Sequence, residues 1–404
     1  MKAFLLAIVF FVSFTDAFSL GPWLKLWVIF TLAVIPLTLI SVFRVGRISV
    51  SCYKGEDLLI LLLFLALVIS SFFRPSPLSL NYLFAYFFIF IICYLYLKGV
   101  FHNFISPRQL LKANFVGVYF VTFFVLLDFF CWFLLHIDLQ EFIPRTRDPS
   151  AVYMRLFRRS YGFATEPTIL AFYFNTLGVM AVWYAWYRLP IARHLRFFLV
   201  SLAFFAWLTT FSAVAFVALP VSFLISVVVT KFWNPFINYK VVMVFFCSVV
   251  ITSAFMLLTL DDDSLHYVLP LYEKVTLQQV GEGARPERWM NDVQIISERP
   301  FLGQGLGFAS SSGRGSSVNW YLFLTMEGGL ISSVPIMLFI FVSYLRIASK
   351  KIPGQIWFMS AFLAGSIHLF AISAFFHPFL WFLLILYFVY SEKFDVNFSK
   401  KESA

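Results

Sequence analysis

Charge is what this sequence has least of. Only 12% of its 404 residues are Asp, Glu, Lys or Arg, against about 25% in a soluble globular chain. So little charge leaves too little polar surface to hold a chain of this length in solution. Cysteine is scarce too. Cys52, Cys93, Cys131 and Cys247 have neither the spacing of a metal site nor the density of a disulfide framework, and read as small buried apolar residues. A nucleotide-binding motif is also missing. Gly303-Gln304-Gly305-Leu306-Gly307 is glycine-rich but lacks the following Lys-Ser/Thr and a βαβ context, so it reads as a tight turn. Any work done here draws on energy stored in a substrate or on an ion gradient. No acidic pair outside the membrane has metal-ligand spacing, and Asp261-Asp262-Asp263 reads as a solvated helix terminus, so no metal or other cofactor is expected.

What is abundant is apolar sequence. It makes up 61% of the chain, with a mean hydropathy of +0.88. The apolar residues come in blocks of about 20, long enough to cross a roughly 30 Å hydrocarbon core as helix. Helix satisfies every backbone polar group within its own segment, whereas a barrel would show alternating segments of about 10 residues. The expected fold is an all-α, polytopic membrane protein of about 12 transmembrane helices, a single transmembrane domain over 1–404. The spans fall near 3–20, 23–43, 57–73, 80–97, 113–136, 167–187, 196–211, 213–230, 240–260, 319–345, 357–375 and 377–390. The N-terminus looks like a signal peptide, but Asp16 and Phe18 spoil the cleavage site, so it reads as a retained first span.

Alternate connections carry the basic residues, among them Arg44, Lys54, Lys98, Arg108, Arg193, Arg346 and Lys393. By the positive-inside rule these lie in the cytoplasm. Both termini are then cytoplasmic, as an even number of spans requires, and the expected location is an inner membrane. Two outer, periplasmic loops stand against the pattern, at 137–165 and 261–318. Of their ten basic residues nine are Arg and one is Lys. Long loops translocate whatever their charge, but arginine is also the side chain suited to bidentate contact with phosphate or carboxylate, and the bias favours an anion site.

Three constellations could carry chemistry. In the first loop Arg155, Arg158 and Arg159 have the spacing of one face of an interfacial amphipathic helix. Gly162 then allows a turn, Thr165 can cap the next span, Pro167 suits its first turn, and Glu166 sits at the mouth of the bundle. In the second loop Arg285 and Arg288 flank a Pro-Glu pair able to start a helix. Trp289 offers an aromatic face for a sugar ring or the membrane interface, and Asp292 and Arg314 follow. Third, Asn319 opens the tenth span and Glu327 lies eight residues on, about 12 Å deeper at 1.5 Å per residue. A carboxylate at that depth must be paired or wet. Asp16 and Asp128, also intramembrane acids, and His377 at an outer turn read as structural.

At these residues the chain resembles the O-antigen polymerase and O-antigen ligase superfamily of bacterial envelope proteins. Arg159-Ser160-Tyr161-Gly162-Phe163-Ala164-Thr165-Glu166-Pro167 resembles the Arg…Gly…Glu-Pro stretch of polymerases. Arg288-Trp289, Pro300-Phe301-Leu302-Gly303-Gln304-Gly305, Asn319-Trp320-Tyr321-Leu322 and Glu327-Gly328-Gly329-Leu330 resemble the family's large-loop pattern and its re-entering helix. There are two departures. Family members often carry Ser-Arg between the seventh and eighth spans, where this chain has Thr210-Phe211-Ser212-Ala213. Ligases commonly have a His before the re-entering helix, where this chain has Ser317-Val318.

The resemblance implies a membrane glycosyltransferase that polymerises oligosaccharide repeat units carried on polyprenyl diphosphate, at the periplasmic face. It implies Glu166, Arg159, Arg288 and Glu327 as catalytic residues, with Arg155, Arg158, Arg285, Arg314, Trp289 and Asn319 binding substrate. The implied partners are the lipid-linked oligosaccharide, the bilayer and a chain-length regulator protein, and not nucleic acid. Ligation of finished polymer to a lipid A core is the near alternative. A lipid-oligosaccharide flippase is the distant one, disfavoured by the absence of a half-to-half repeat and by arginines concentrated in outer loops rather than mid-membrane.

Overall fold

The computed structural model describes residues 1–14, 17–20, 24–45, 52–145, 153–154, 157–233, 285–314, 317–373 and 376–402. Its helices, in chain order, are α1 (Lys2–Phe11), α2 (Leu26–Val45), α3 (Gly55–Phe73), α4 (Ser79–Phe104), α5 (Pro107–Leu135), α6 (Pro167–Tyr187), α7 (Arg193–Leu208), α8 (Ala213–Trp233), α9 (Arg285–Glu298), α10 (Phe308–Ser312), α11 (Trp320–Ser349), α12 (Gln355–His368) and α13 (Phe379–Glu402). The one sheet among the described residues is an antiparallel ribbon of two-residue strands, β1 (Tyr153–Met154) and β2 (Phe157–Arg158). The protein is all-α and polytopic, as its composition requires.

Seven of the described helices are long and apolar enough to cross a membrane: α2, α3, α4, α5, α6, α8 and α11. The expected spans at α1, α7 and α12 are shorter helices of 10, 16 and 14 residues. The expected ninth span, 240–260, lies outside the described residues, as do Asp16, Arg155 and Asp261-Asp262-Asp263. The seventh and eighth spans are separate. Helix α7 stops at Leu208 and α8 starts at Ala213, with Phe211 at φ 44° in the turn between them.

The packing is that of a protein solvated by lipid. On α3, Leu58, Leu61, Leu65, Ile69 and Phe72 are exposed. On α11, Leu330, Val334, Met337, Phe341 and Leu345 are. Both sets recur every three or four residues, a helical stripe, and large apolar stripes left uncovered mark a membrane face. Helix α6 is instead buried nearly all round, and on α13 every residue from Phe379 to Tyr390 is buried. These two form the centre. Helix α11 packs along α3, and α8 along α12.

Charge is kept at the helix ends. At one end Lys98 pairs with Asp57 at 2.6 Å, Arg346 with Glu56, and Glu392 with both Lys54 (3.1 Å) and His102 (3.0 Å). This network joins α3, α4, α11 and α13 where the basic connections were expected. At the opposite end of α11 lies Asn319, whose carboxamide oxygen caps the helix by accepting from the Tyr321 and Leu322 amides (2.9 and 3.2 Å). The arginine-bearing segments gather at that end.

Candidate functional site

The site is built where the β-ribbon runs into α6. The ribbon pairs Tyr153 with Arg158 and Met154 with Phe157, so Arg158 and Arg159 lie on extended chain and not on the amphipathic helix expected from their spacing. Extended backbone sends neighbouring side chains to opposite sides, and separate partners hold them there. Arg158 turns into the bundle, where its Nη2 donates to Asp128 Oδ2 at 2.7 Å and its other arm pairs with Asp138. Arg159 turns the other way and donates Nε–H to the Thr210 carbonyl oxygen at 2.9 Å. One residue further, the Ser160 amide donates to the Thr209 carbonyl at 2.9 Å. The loop before α6 is thus fastened to the α7–α8 turn.

Gly162 makes the expected turn, at φ 53°, and its carbonyl accepts from Arg145 at 2.6 Å. Phe163 then stacks on Phe14 and Phe124, with ring centroids 4.7 and 4.4 Å away. Pro167 occupies the first turn of α6 as expected. The cap position falls on Glu166 rather than Thr165, and the Glu166 side chain does not close onto the helix amides. Its carboxylate stays exposed and within electrostatic reach of Arg159 and Arg285.

Arg285 comes from the other loop. Helix α9 starts at Arg285, with Pro286 and Glu287 in its first turn, and turns Arg285, Arg288, Trp289, Asp292 and Ile295 inward while Met290, Asn291, Val293 and Gln294 are exposed. Burial lowers the Arg159 pKa to about 10, and the Arg285 charge adds to that while Glu166 opposes it. Arg159 therefore remains a cation at neutral pH. The Arg285 pKa is also lowered, first by burial and then by Arg288. Arg159 and Arg285 thus lie within reach of one exposed carboxylate, and Arg288 adds its charge beside Arg285, an excess of positive charge suited to a polyanion.

Other expected site residues are held by contacts of their own. Arg158 is buried between Asp128 and Asp138, with the Tyr161 ring 5.4 Å away, and is spent on holding the loop. Arg314 pairs with Glu298 at 3.1 Å on an exposed surface, and its backbone carbonyl accepts from the Asn291 side chain of α9 at 2.8 Å. Glu327 is fully buried and faces the glycine turn, with Oε1 3.4 Å from the Ala309 amide. Its backbone carbonyl accepts from Gly305 N–H (2.9 Å) and the Ser70 hydroxyl (3.0 Å). The turn is fixed further by Gln304 N–H donating to the Met326 carbonyl (2.8 Å), and α11 is kinked beside it, with Gly329 at φ 68°.

One residue escaped the sequence reading of the site, and another was named there without a role. His368, the last residue of α12, is buried and shares a 3.0 Å contact between Nε2 and the Thr168 carbonyl. Since a carbonyl can only accept, Nε2 carries the proton. The contact ties α12 to the first turn of α6, two residues after Glu166, and His368 lies within electrostatic reach of Arg285. The next residue, Leu369, accepts from the Trp320 amide at 2.9 Å, which brings His368 beside the start of α11. No local sequence signal marks it, because the approach depends on packing. Asp292 did carry a signal, one helical turn after Arg288 and two after Arg285.

Fold and site together define a polytopic membrane protein with a cationic cluster at one membrane face. Residues 197–331 match a family model described as O-antigen ligase. The matched stretch includes the α7–α8 turn, Arg285, Arg288, the glycine turn and Glu327, and it bears out the resemblance to the O-antigen polymerase and ligase superfamily, whose members are membrane enzymes of polysaccharide biosynthesis. No curated protein matches the chain.

Proposed function

We propose that the chain is a polymerase of oligosaccharide repeat units carried on polyprenyl diphosphate, a multi-pass protein of a bacterial inner membrane with both termini in the cytoplasm and its site on the periplasmic face. The observation that carries this reading is the meeting of Arg159 and Arg285 at Glu166, with Arg288 beside Arg285, from two loops far apart in sequence. A diphosphate needs cationic donors outside the membrane, and a polyprenyl tail needs an apolar, lipid-facing flank of the kind α3 and α11 present.

In the reaction a hydroxyl oxygen of the acceptor unit attacks the anomeric carbon of the donor sugar. The bond from that carbon to the diphosphate oxygen breaks, and the diphosphate leaves with the electron pair. Arg159, Arg285 and Arg288 stabilise that charge, the preorganised electrostatic help that usually dominates catalysis. Arg159 enters already oriented by the Thr210 carbonyl. The attacking hydroxyl passes its proton to the Glu166 carboxylate, a general-base contribution of about 10²–10⁴-fold. Glu327, engaged with the glycine turn, and Asn319, whose carboxamide oxygen is spent on the α11 cap, shape the site instead of touching substrate. Trp289 offers its ring to a sugar.

Ligation of finished polymer is a second reading, favoured by the description of the matching family and by His368, which reaches the start of α11 where ligases carry a histidine in sequence. A surface-polysaccharide gel of a deletion strain beside its complemented parent separates the two. A ladder collapsing to core plus one repeat unit supports the polymerase. Bare core with long polymer held on the lipid carrier supports the ligase. Bare core with single units trapped inside points to a flippase, and an unchanged ladder overturns all three for that polymer.

A further inference from the structure

The inward face of α9 buries more than its arginines. Asp292 is 0% exposed, and neither of its carboxylate oxygens meets a hydrogen-bond donor among the described residues. The Ser317 hydroxyl lies close enough to act on the carboxylate, but it donates to the Asn319 carbonyl at 2.8 Å and accepts from the Asn319 amide at 3.1 Å. One turn earlier, Trp289 buries its indole Nε1–H without an acceptor. Leaving a buried donor or acceptor unmet costs about 1–3 kcal/mol, more for a charged group. Here an unmet donor and two unmet acceptors lie three residues apart on one helical face. Trp289 and Arg288 are only half-buried, so this face is open toward its N-terminal end.

We propose that Trp289 and Asp292 form a saccharide subsite beside Arg288, in which Asp292 accepts hydrogen bonds from hydroxyls of the acceptor sugar and the Trp289 indole donates to a third oxygen. The inference rests on the glycosyl-transfer reading above and names where the sugar portion sits. The chemistry selects the ligand. A second anion is repelled by the Asp292 carboxylate. An apolar chain leaves all three polar atoms unmet. A pyranose supplies neighbouring hydroxyls that fit the two carboxylate oxygens, and oxygens that accept from an indole. The division of labour follows: Arg159 and Arg285 take the diphosphate, and the Asp292 end of α9 takes the uncharged sugar. Burial raises the Asp292 pKa, and the neighbouring Ser317 hydroxyl and then the Arg288 charge oppose the rise, so its surroundings help keep the carboxylate an acceptor.

The test uses the full chain in lipid nanodiscs and two separate probes. One is the host's repeat-unit oligosaccharide with a free reducing end and no phosphate; the other is inorganic pyrophosphate. Asp292→Asn and Trp289→Phe, which keeps the ring face and removes the N–H, should each weaken oligosaccharide binding by about tenfold or more, while pyrophosphate binding is unchanged in Trp289→Phe and no weaker than the parent's in Asp292→Asn. Arg159→Ala should do the reverse. If both α9 variants bind the oligosaccharide as tightly as the parent, water satisfies those atoms and the subsite is wrong. If the parent binds pyrophosphate but no oligosaccharide, the subsite fails alone; if it binds neither, the glycosyl-transfer reading fails with it. Should Asp292→Asn not fold, Trp289→Phe decides the matter by itself.

Discussion

Arg159 donates its Nε–H to the carbonyl oxygen of Thr210, 51 positions further along the chain and 2.9 Å away. One hydrogen bond thus fixes a loop arginine to the turn between two membrane helices, and leaves the outer edge of the guanidinium free of that contact. Removing a preorganised donor of developing charge costs about 10²–10³-fold in rate. Arg159→Ala should therefore abolish chain extension, read as a ladder collapsed to one repeat unit at normal protein levels. Arg159→Lys should recover little, because a lysine ammonium cannot hold the carbonyl and a phosphate with one planar fork. A normal ladder in either well-expressed variant removes Arg159 from the site.

Glu166 and Glu327 make opposite predictions. Glu166 is exposed beside cations, so Glu166→Gln should leave expression and thermal stability within about 0.5 kcal/mol of the parent while lowering extension by about 10²-fold or more. Glu327 is buried against the glycine turn. Glu327→Ala should act on the fold first, by lowering the yield and melting temperature of the purified protein. A Glu166→Gln protein that extends normally would mean that the proton goes elsewhere.

The α-helical membrane architecture was legible in the sequence because lipid imposes it on every segment at once: blocks of about 20 apolar residues admit one solution. The glycine turn at 303–307, the start of α9 at Arg285–Pro286 and the α6 entry at Pro167 were legible too, since each depends on local backbone chemistry. Arg158 and Arg159 were not. Their i, i+3, i+4 spacing with Arg155 fits a helix, but the extended ribbon is held by Asp128 on α5 and by carbonyls at 209–210, contacts that no local pattern encodes. His368 stayed hidden for the same reason. It ends an apolar helix and gains its meaning from Thr168, 200 positions away.

The Arg158–Asp128 pair gives a third prediction. Both side chains are almost fully buried, at 3% and 1% exposure. Breaking such a pair leaves an uncompensated charge and costs about 3–5 kcal/mol. Asp128→Asn and Arg158→Met should each lower thermal stability sharply, and the double variant should be less damaged than the sum of the two, as measured by a double-mutant cycle on detergent-solubilised protein. Additive losses would show that the two charges do not depend on each other.

The arginine cluster should also be a stability defect that substrate relieves. Burial first, and then a neighbouring arginine, lowers the pKa of both Arg159 and Arg285, and Glu166 offsets this only in part, so at neutral pH these cations are desolvated and repel one another when no polyanion is bound. The sign is clear. A cation whose folded pKa lies below its unfolded value binds protons less readily when folded, so the group opposes folding below the folded pKa and ceases to do so as pH rises past the unfolded one. For Arg159 that window runs from about 10 up to the ordinary arginine value, which leaves the whole penalty, desolvation first and repulsion second, in force at pH 7. Arg285→Gln should accordingly raise the melting temperature by roughly 2–4 °C, the equivalent of about 1 kcal/mol in a large domain, while extension is lost. Pyrophosphate should stabilise the parent in proportion to its occupancy and the variant much less. A lower melting temperature in Arg285→Gln, or equal stabilisation of both by pyrophosphate, would mean that the arginines are paired by groups other than a bound anion.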